Sequence, residues 1–340
     1  MSPLGLEIAL AVGALLVILA GCELFTNAIE WFGAKLNLST GACGSVLAAV
    51  GTALPETLVP IVAFIKGGEQ AREIGTGGIL GAPFMLSTLA FTVTAFGVLY
   101  YTRSGRRETA EMAVDSHVLS HDLGYFLIAY LAAVAASFLP VPEAKWGVGA
   151  VLLLVYAYYV WLHFRTGTCI ADECEMVPLR IQPNAVVPRL RYVSLQIVMA
   201  LACIFVGAHL FVDHLSELAG IAGVSPLVLS IIITPIATEL PEKFNSVLWV
   251  RDSKDTLAMG NITGAMVFQS TIPVTIGIIA TPWVLDTAGL ASGAIALLSG
   301  TLVYLHMRMQ GRLSPWALLV GLPLYGAFLA VAFSTGAGGH

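Results

Sequence analysis

The chain has 340 residues, 57% of them hydrophobic and 11% charged, with a formal net charge of −5 and a mean hydropathy of +0.86. A soluble domain carries roughly 25% charged residues, so this composition excludes a soluble globular enzyme, a disordered chain and a nucleic-acid binder. What remains is a chain whose solvent is the lipid bilayer.

A spanning helix needs about 20 apolar residues. The sequence offers ten such stretches, at approximately 6–32, 39–65, 74–101, 122–140, 146–164, 193–219, 225–250, 256–280, 287–306 and 314–334. The predicted fold class is an all-α integral membrane protein of about ten transmembrane helices. The first stretch does not read as a removable signal, because Met1 to Leu6 holds no Lys or Arg and the apolar run is too long. The long connections are Thr102–His121 and Arg165–Tyr192. With ten spans, twelve Lys and Arg fall on one side and three (Lys66, Arg72, Lys145) on the other, while Lys243 lies inside a span. The positive-inside rule then places both termini outside and both long loops in the cytoplasm of a cell-membrane protein. The five scattered cysteines define no disulfide framework.

The two halves repeat. Sliding Gly21–Glu56 onto Gly207–Glu242 with no gap matches eight of 36 positions, among them Gly21/Gly207, Thr52/Thr238, Leu54/Leu240, Pro55/Pro241 and Glu56/Glu242. After a three-residue difference in length, Gly77, Ile79, Gly81, Ala82, Ser87 and Thr88 meet Gly260, Ile262, Gly264, Ala265, Ser270 and Thr271. Shared Leu and Gly are expected of any two apolar helices, but a shared Thr-x-Leu-Pro-Glu in mid-span is not. Each half holds five spans, an odd number, so the second half enters the membrane inverted. The organisation expected is a first repeat over 1–165, a cytoplasmic loop over 166–192 and a second repeat over 193–340.

Glu56 and Glu242 each fall near the middle of their span, where an ionisable group is costly and points to function. Each follows a proline, which strips a backbone carbonyl of its helical donor. Thr52 and Thr238 lie four residues before these glutamates, on the same helix face. If the pseudo-two-fold brings these groups together, they form an all-oxygen set with two carboxylates. Such a set suits a hard divalent cation such as Ca²⁺. The competing reading is a pair of protonated glutamates hydrogen-bonded between helices.

Gly51-Thr-Ala-Leu-Pro-Glu56 resembles the Gly-Thr-Ser-x-Pro-Glu core of the first alpha-repeat of the sodium/calcium exchanger (cation/Ca²⁺ antiporter) superfamily, and Ala237-Thr-Glu-Leu-Pro-Glu242 resembles the second. Met259-Gly-Asn-Ile-Thr-Gly-Ala265 is similar to the Gly-Asn-x-x-Gly-Ser that follows, and Val224-Ser-Pro to the lead-in. The resemblance covers about 21–90 and 207–275. It implies two inverted five-helix halves, an ion cluster between the second, third, seventh and eighth helices, and antiport of Ca²⁺ against Na⁺ or H⁺ by alternating access. It carries Glu56 and Glu242 over as ion-binding carboxylates and Thr52 and Thr238 as flanking oxygen ligands. The transported ions are substrates, and no cofactor is expected. The partners expected are inorganic cations and the lipid bilayer, not nucleic acid, and no enzymatic activity is expected.

The departures from the family pattern are specific. The serine after Gly-Thr is Ala53 in the first repeat and Glu239 in the second, and the serine of the Gly-Ser pair is Ala82 and Ala265. The polar residue four positions later is Leu86 and Gln269, and the family Asn is kept as Asn261 but is Gly78 in the first half. In sodium-coupled members these groups help hold Na⁺, so sodium and proton coupling both stay open. Glu239 and Lys243 are i, i+4 in the order that favours an ion pair. Either they neutralise each other, or the Lys243 ammonium stands in for a Na⁺ and Glu239 titrates. Unpaired, Glu239 adds a third carboxylate to the candidate cation set of Glu56, Glu242, Thr52, Thr238, Asn261 and Gln269.

Other polar groups are read as secondary. His209 and Asp213, with His214 beside them, form a polar pair near a helix end or an ion approach route. His117 and His121, flanked by Asp115 and Asp122, are placed in a cytoplasmic loop. Cys169 and Cys174 flank Asp172 and Glu173 in the other, and both sets have weak metal-binding spacing. Tyr156, Tyr158, Tyr159 and Trp161 read as an interfacial aromatic belt. The rival functional readings are a proton-coupled exchanger of another cation and a divalent-cation channel or uniporter.

Overall fold

Lipid offers the backbone no hydrogen-bond partner, so apolar runs of this length satisfy their own N–H and C=O groups as helices. The structure, a computed structural model, describes residues 2–35, 54–166 and 177–336. In chain order the helices are α1 (Pro3–Lys35), α2 (described over Leu54–Lys66), α3 (Glu69–Met85), α4 (Phe91–Arg103), α5 (Ser116–Ala135), α6 (Pro142–Thr166), α7 (Leu190–Ala222), α8 (Pro226–Arg251), α9 (Asp255–Gln269), α10 (Ile272–Ala280), α11 (Thr287–Gln310), a single turn α12 (Pro315–Leu318) and α13 (Gly321–Gly336). A π-helical turn, Leu86–Ala90, joins α3 to α4. No strand occurs among the described residues.

Eight helical stretches among the described residues are long and apolar enough to cross a membrane. The two expected spans outside that set are 39–65, described only from residue 54, and 225–250, which is the 26-residue helix α8. These are the two spans with the Pro-Glu sequence. α8 carries Glu239, Glu242 and Lys243 within its apolar run.

The fourth span starts earlier than expected. Asp115 accepts hydrogen bonds from the backbone N–H of His117 (2.9 Å) and Val118 (3.3 Å), and this cap starts α5 at Ser116. His117 and His121 therefore belong to a helix, which corrects their placement in a loop. The aromatic belt is also corrected in part. Tyr158 and Trp161 face outward, but Tyr159 is buried and its hydroxyl is bonded inside the protein.

The inverted repeat is visible in one helix pair. α1 and α7 are each 33 residues long, about 50 Å, more than the roughly 30 Å hydrocarbon core they cross. They pack antiparallel. A Cβ on Gly21 would meet the Ile204 side chain at 2.7 Å and the Ala200 carbonyl oxygen at 3.1 Å; one on Gly207 would meet Ile18 at 2.9 Å and the Ala14 carbonyl oxygen at 3.0 Å. With the repeat offset, Gly21, Ile18 and Ala14 correspond to Gly207, Ile204 and Ala200. Each half thus offers the same residues to the other, as a two-fold axis requires. Close approach at small residues is the usual means by which helices associate in lipid.

One end of this pair is fastened by the loop segment 177–182. Asn27 Nδ2 donates to the carbonyls of Val177 (3.2 Å) and Pro178 (3.3 Å), and Trp31 Nε1 donates to Val177 O (2.9 Å). Gln196 Nε2 donates to Asn27 Oδ1 (2.9 Å), and its Oε1 accepts from the Ile181 N–H (3.0 Å). At the other end Lys66 of α2 pairs with Asp213, and His214 meets Glu7 at 2.8 Å.

The centre belongs to the third and eighth spans. In the stretches Glu69–Arg103 and Asp255–Ala280, 83% and 67% of the most apolar window is buried, against 17–44% in the other six. α3 lies along α8, with Gly77 and Gly81 against the backbone of Leu227 and Ile231. α2 packs on α3 and touches α8, while α8 lies against α9.

Candidate cation site

Glu56 lies on α2 and is 4% exposed; Thr238 and Glu239, on α8, are 1% and 2% exposed. Pro60 interrupts α2 one turn after Glu56, which removes the N–H donor for the Glu56 carbonyl. Thr238 Oγ1 donates to the Thr234 carbonyl at 3.0 Å. Its proton is thereby committed inward and its lone pairs stay available to a cation. Thr52 and the side chains of Glu242 and Lys243 lie outside what the structure describes, and the Glu239–Lys243 pair with them. The backbone of Glu242 and Lys243 is helical within α8.

Asn261 and Gln269 sit at the middle and the end of α9. Asn261 Nδ2 donates to Ser246 Oγ (3.4 Å), and Ser246 Oγ donates to the Ala258 carbonyl (3.2 Å), so this amide is tied to α8. Gln269 is 2% exposed, and its Oε1 has no hydrogen-bond donor among the described residues. A buried amide oxygen without a donor is costly in a folded protein.

The helix breaks beside Gln269. α9 ends there and α10 starts at Ile272, with Thr271 turned out of helical geometry at φ −118°, ψ −71°. The equivalent point of the first repeat is the π-helical turn Leu86–Ala90. The hydroxyl bonds correspond one to one. Ser87 and Thr88 both donate to Phe84 O (3.1 and 2.6 Å), and Ser270 and Thr271 both donate to Val267 O (2.9 and 2.8 Å). Each half therefore carries a helix irregularity at the same depth, set by the same residues. Such breaks free backbone groups where transporters bind ions. α10, on the far side of the break, packs against α2 and α3.

The structure thus brings α2, α3, α8 and α9 into one group and places Glu56, Thr238, Glu239 and Gln269 within its buried part. The helix irregularities and Ser246 were not picked out from the sequence. Their only sequence signal is the pair of Ser-Thr steps shared by the repeats. Asp122 was noted only as a flanking residue, yet it is buried and bonded to α6 and α9. His209 faces Asp213 at 3.7 Å, and Asp213 also pairs with Lys66 of α2. Cys169 and Cys174 lie outside the described residues.

The family model for the sodium/calcium exchanger protein matches residues 6–165 and 192–334. The putative antiporter CaxA of Alkalimonas amylolytica is 25% identical over 322 residues, 94% of this chain and 95% of that protein. The inner membrane protein YrbG of Escherichia coli K12 is 26% identical over 247 residues, 72% of this chain and 70% of that protein. Among solved structures, the H⁺/Ca²⁺ exchanger CAX superposes with a TM-score of 0.70 at 19% identity, covering 97% of this chain and 84% of that one. The sodium-calcium exchanger NCX_Mj superposes with a TM-score of 0.57 at 20% identity, covering 96% and 99%. These likenesses share the fold, all-helical with two inverted five-helix halves. With its repeats, its buried carboxylates and a family match that spans both halves, the chain belongs to the sodium/calcium exchanger protein family.

Proposed function

We propose that the protein is a secondary active cation antiporter that exchanges Ca²⁺ for H⁺ or Na⁺ by alternating access. The observation that carries this reading is the burial of Glu56 on α2 together with Glu239 on α8, at the helix group that holds both irregular turns. Glu56 and Glu242 are the principal cation carboxylates, and Thr52, Thr238, Glu239, Asn261 and Gln269 complete the oxygen set. The first repeat is 1–165, the loop 166–192 is cytoplasmic and the second repeat is 193–340, with both termini outside.

Electrostatics explains the exchange. A site of two or more buried carboxylates with net negative charge is costly to carry through the membrane interior. One Ca²⁺, or protons on the carboxyl groups, neutralises them. Only the loaded forms then cross, so each outward step of one ion is tied to an inward step of the other. The absence of the sodium-holding serines at Ala53, Ala82 and Ala265 supports protons as the counter-ion.

The test is ⁴⁵Ca²⁺ uptake into proteoliposomes under an outward proton gradient and, separately, an outward Na⁺ gradient, with the voltage clamped. Uptake is expected with one of them, and Glu56→Gln or Glu242→Gln is expected to abolish it in a folded protein. Robust transport by both variants removes the site. Flux without any counter-gradient makes the protein a channel.

A further inference from the structure

Asp122 is a buried carboxylate that the cation site does not use. It is 2% exposed and lies about 9 Å along α5 from Ser116, toward the end that carries the cytoplasmic loops. Tyr159 Oη of α6 donates to its Oδ1 at 2.9 Å, and Thr263 Oγ1 of α9 donates to its Oδ2 at 2.7 Å. His163 Nε2 of α6 stands 3.7 Å from the same Oδ1. A buried carboxylate needs a counter-charge or a proton, and two hydroxyl donors supply neither.

The imidazole supplies the answer through its other nitrogen. His163 Nδ1 is 3.2 Å from the Tyr159 carbonyl oxygen. A carbonyl only accepts, so Nδ1 carries the hydrogen and the titrating nitrogen is Nε2, which faces Asp122. With one proton, on Nε2 or on the carboxyl, the pair is neutral overall. With none it carries a negative charge, and with two a positive one.

A route to the pair is present. A cavity of about 400 Å³ is lined by Ser116, His117, Ser120, His121, Tyr304 and Arg308. The His121 ring lies 6.3 Å from that of His117 and 6.0 Å from that of His163, centre to centre. His163 in turn packs on Tyr159 at 4.3 Å. Single bridging waters cover gaps of this size. Other titratable and charged groups surround the pair. Tyr125 meets His121 and Tyr159 edge-on, Tyr156 stacks on Tyr159, Tyr130 of α5 donates to the Leu80 carbonyl, Tyr304 and Arg308 of α11 line the cavity, and Asp255 of α9 is held by Arg107.

We propose that Asp122 and His163 form a proton-binding site, filled from this cavity through His121, whose occupancy sets how firmly α9 is tied to α5 and α6. As a carboxylate, Asp122 accepts charge-assisted hydrogen bonds from Tyr159 and Thr263. Protonation turns one of its oxygens into a donor and weakens that hold. α9 carries Asn261 and Gln269, so the tie reaches the cation site. Proton binding stands apart from the exchange reading, while its effect on flux rests on it.

Two measurements test it. Infrared difference spectra of the reconstituted protein across a pH step are expected to show a carboxyl C=O band that is absent in Asp122→Asn. In parallel, ⁴⁵Ca²⁺ flux is read against pH on the cavity side at saturating Ca²⁺, where competition at the central carboxylates is suppressed. Asp122→Asn is expected to make the limiting arm of that profile shallower by one proton, about tenfold per pH unit. Thr263→Val is expected to keep the infrared band and lose the same arm of the flux profile. If the band survives in folded Asp122→Asn, the proton site is overturned. If Thr263→Val keeps the wild-type profile, the coupling through α9 is overturned. Should Asp122→Asn fail to fold, His163→Gln must shift the midpoint of the band, and an unmoved midpoint is equally fatal. A wild type that shows the band but no Ca²⁺ flux defeats the exchange reading and leaves the proton site standing.

Discussion

Gln269 Oε1 is buried without a donor among the described residues, a defect that costs about 1–3 kcal/mol when nothing fills it. Removing the amide therefore has opposite effects on stability and on binding. Gln269→Leu is expected to melt at or above the wild-type temperature without ions and to bind cation about tenfold more weakly, a loss of about 1.4 kcal/mol. Thermal unfolding with and without Ca²⁺ checks both, and an unchanged Ca²⁺-induced shift takes Gln269 out of the site. Arg107 is the contrasting case. Its guanidinium grips Asp255 with two bonds, at 2.6 and 2.8 Å, and also donates to Val250 O. Arg107→Ala removes the counter-charge of a buried carboxylate, leaving it the Ala113 N–H at 2.8 Å, and is expected to cost about 3–5 kcal/mol. Unfolding of the single variant and of the double variant with Asp255→Ala separates that penalty from simple loss of packing, because the double variant is expected to be the more stable of the two. The buried glutamates were legible because a charge inside an apolar run is conspicuous. The partners of Asp122 were not, because Tyr159 lies 37 residues away and Thr263 lies 141 away. Only the packed helices bring them together.

Between elements, the contact of α1 with α7 makes a prediction that symmetry doubles. A valine at Gly21 or at Gly207 drives its side chain into Ile204 or Ile18 and the neighbouring carbonyl. Overpacking of this kind costs about 1–3 kcal/mol, and Gly21→Val and Gly207→Val are expected to lower the unfolding temperature by similar amounts. A large effect from one and none from the other contradicts the equivalence of the two contacts. The spans themselves were readable because apolar length is a direct property of the chain. Their ends were less so, as the Asp115 cap of α5 illustrates. The π-helical turn was not readable, because Ser-Thr steps are common in apolar helices. Gly321 of α13 lies against it so closely that a Cβ there would collide with the Thr88 carbonyl oxygen.

For the whole molecule, the placement of the basic residues makes an experimental statement. Tags at the two ends of the chain are expected to react with an impermeant reagent applied to intact cells, whereas a single cysteine introduced at Arg180 reacts only after the membrane is opened. Labelling in the reverse sense inverts the topology and moves the Asp122 cavity to the outer face. The symmetric seam between α1 and α7 has a further consequence. In a dimer of two identical halves every change at such a seam is made twice, once in each copy. In this fused chain it is made once. The two ends of the seam are thereby released from each other, and they have parted company: Asn27 is fastened by the loop at 177–182, whereas its counterpart Asp213 is held by Lys66 of α2. Joining the halves let one molecule keep a common seam while acquiring a different fastening at each of its ends.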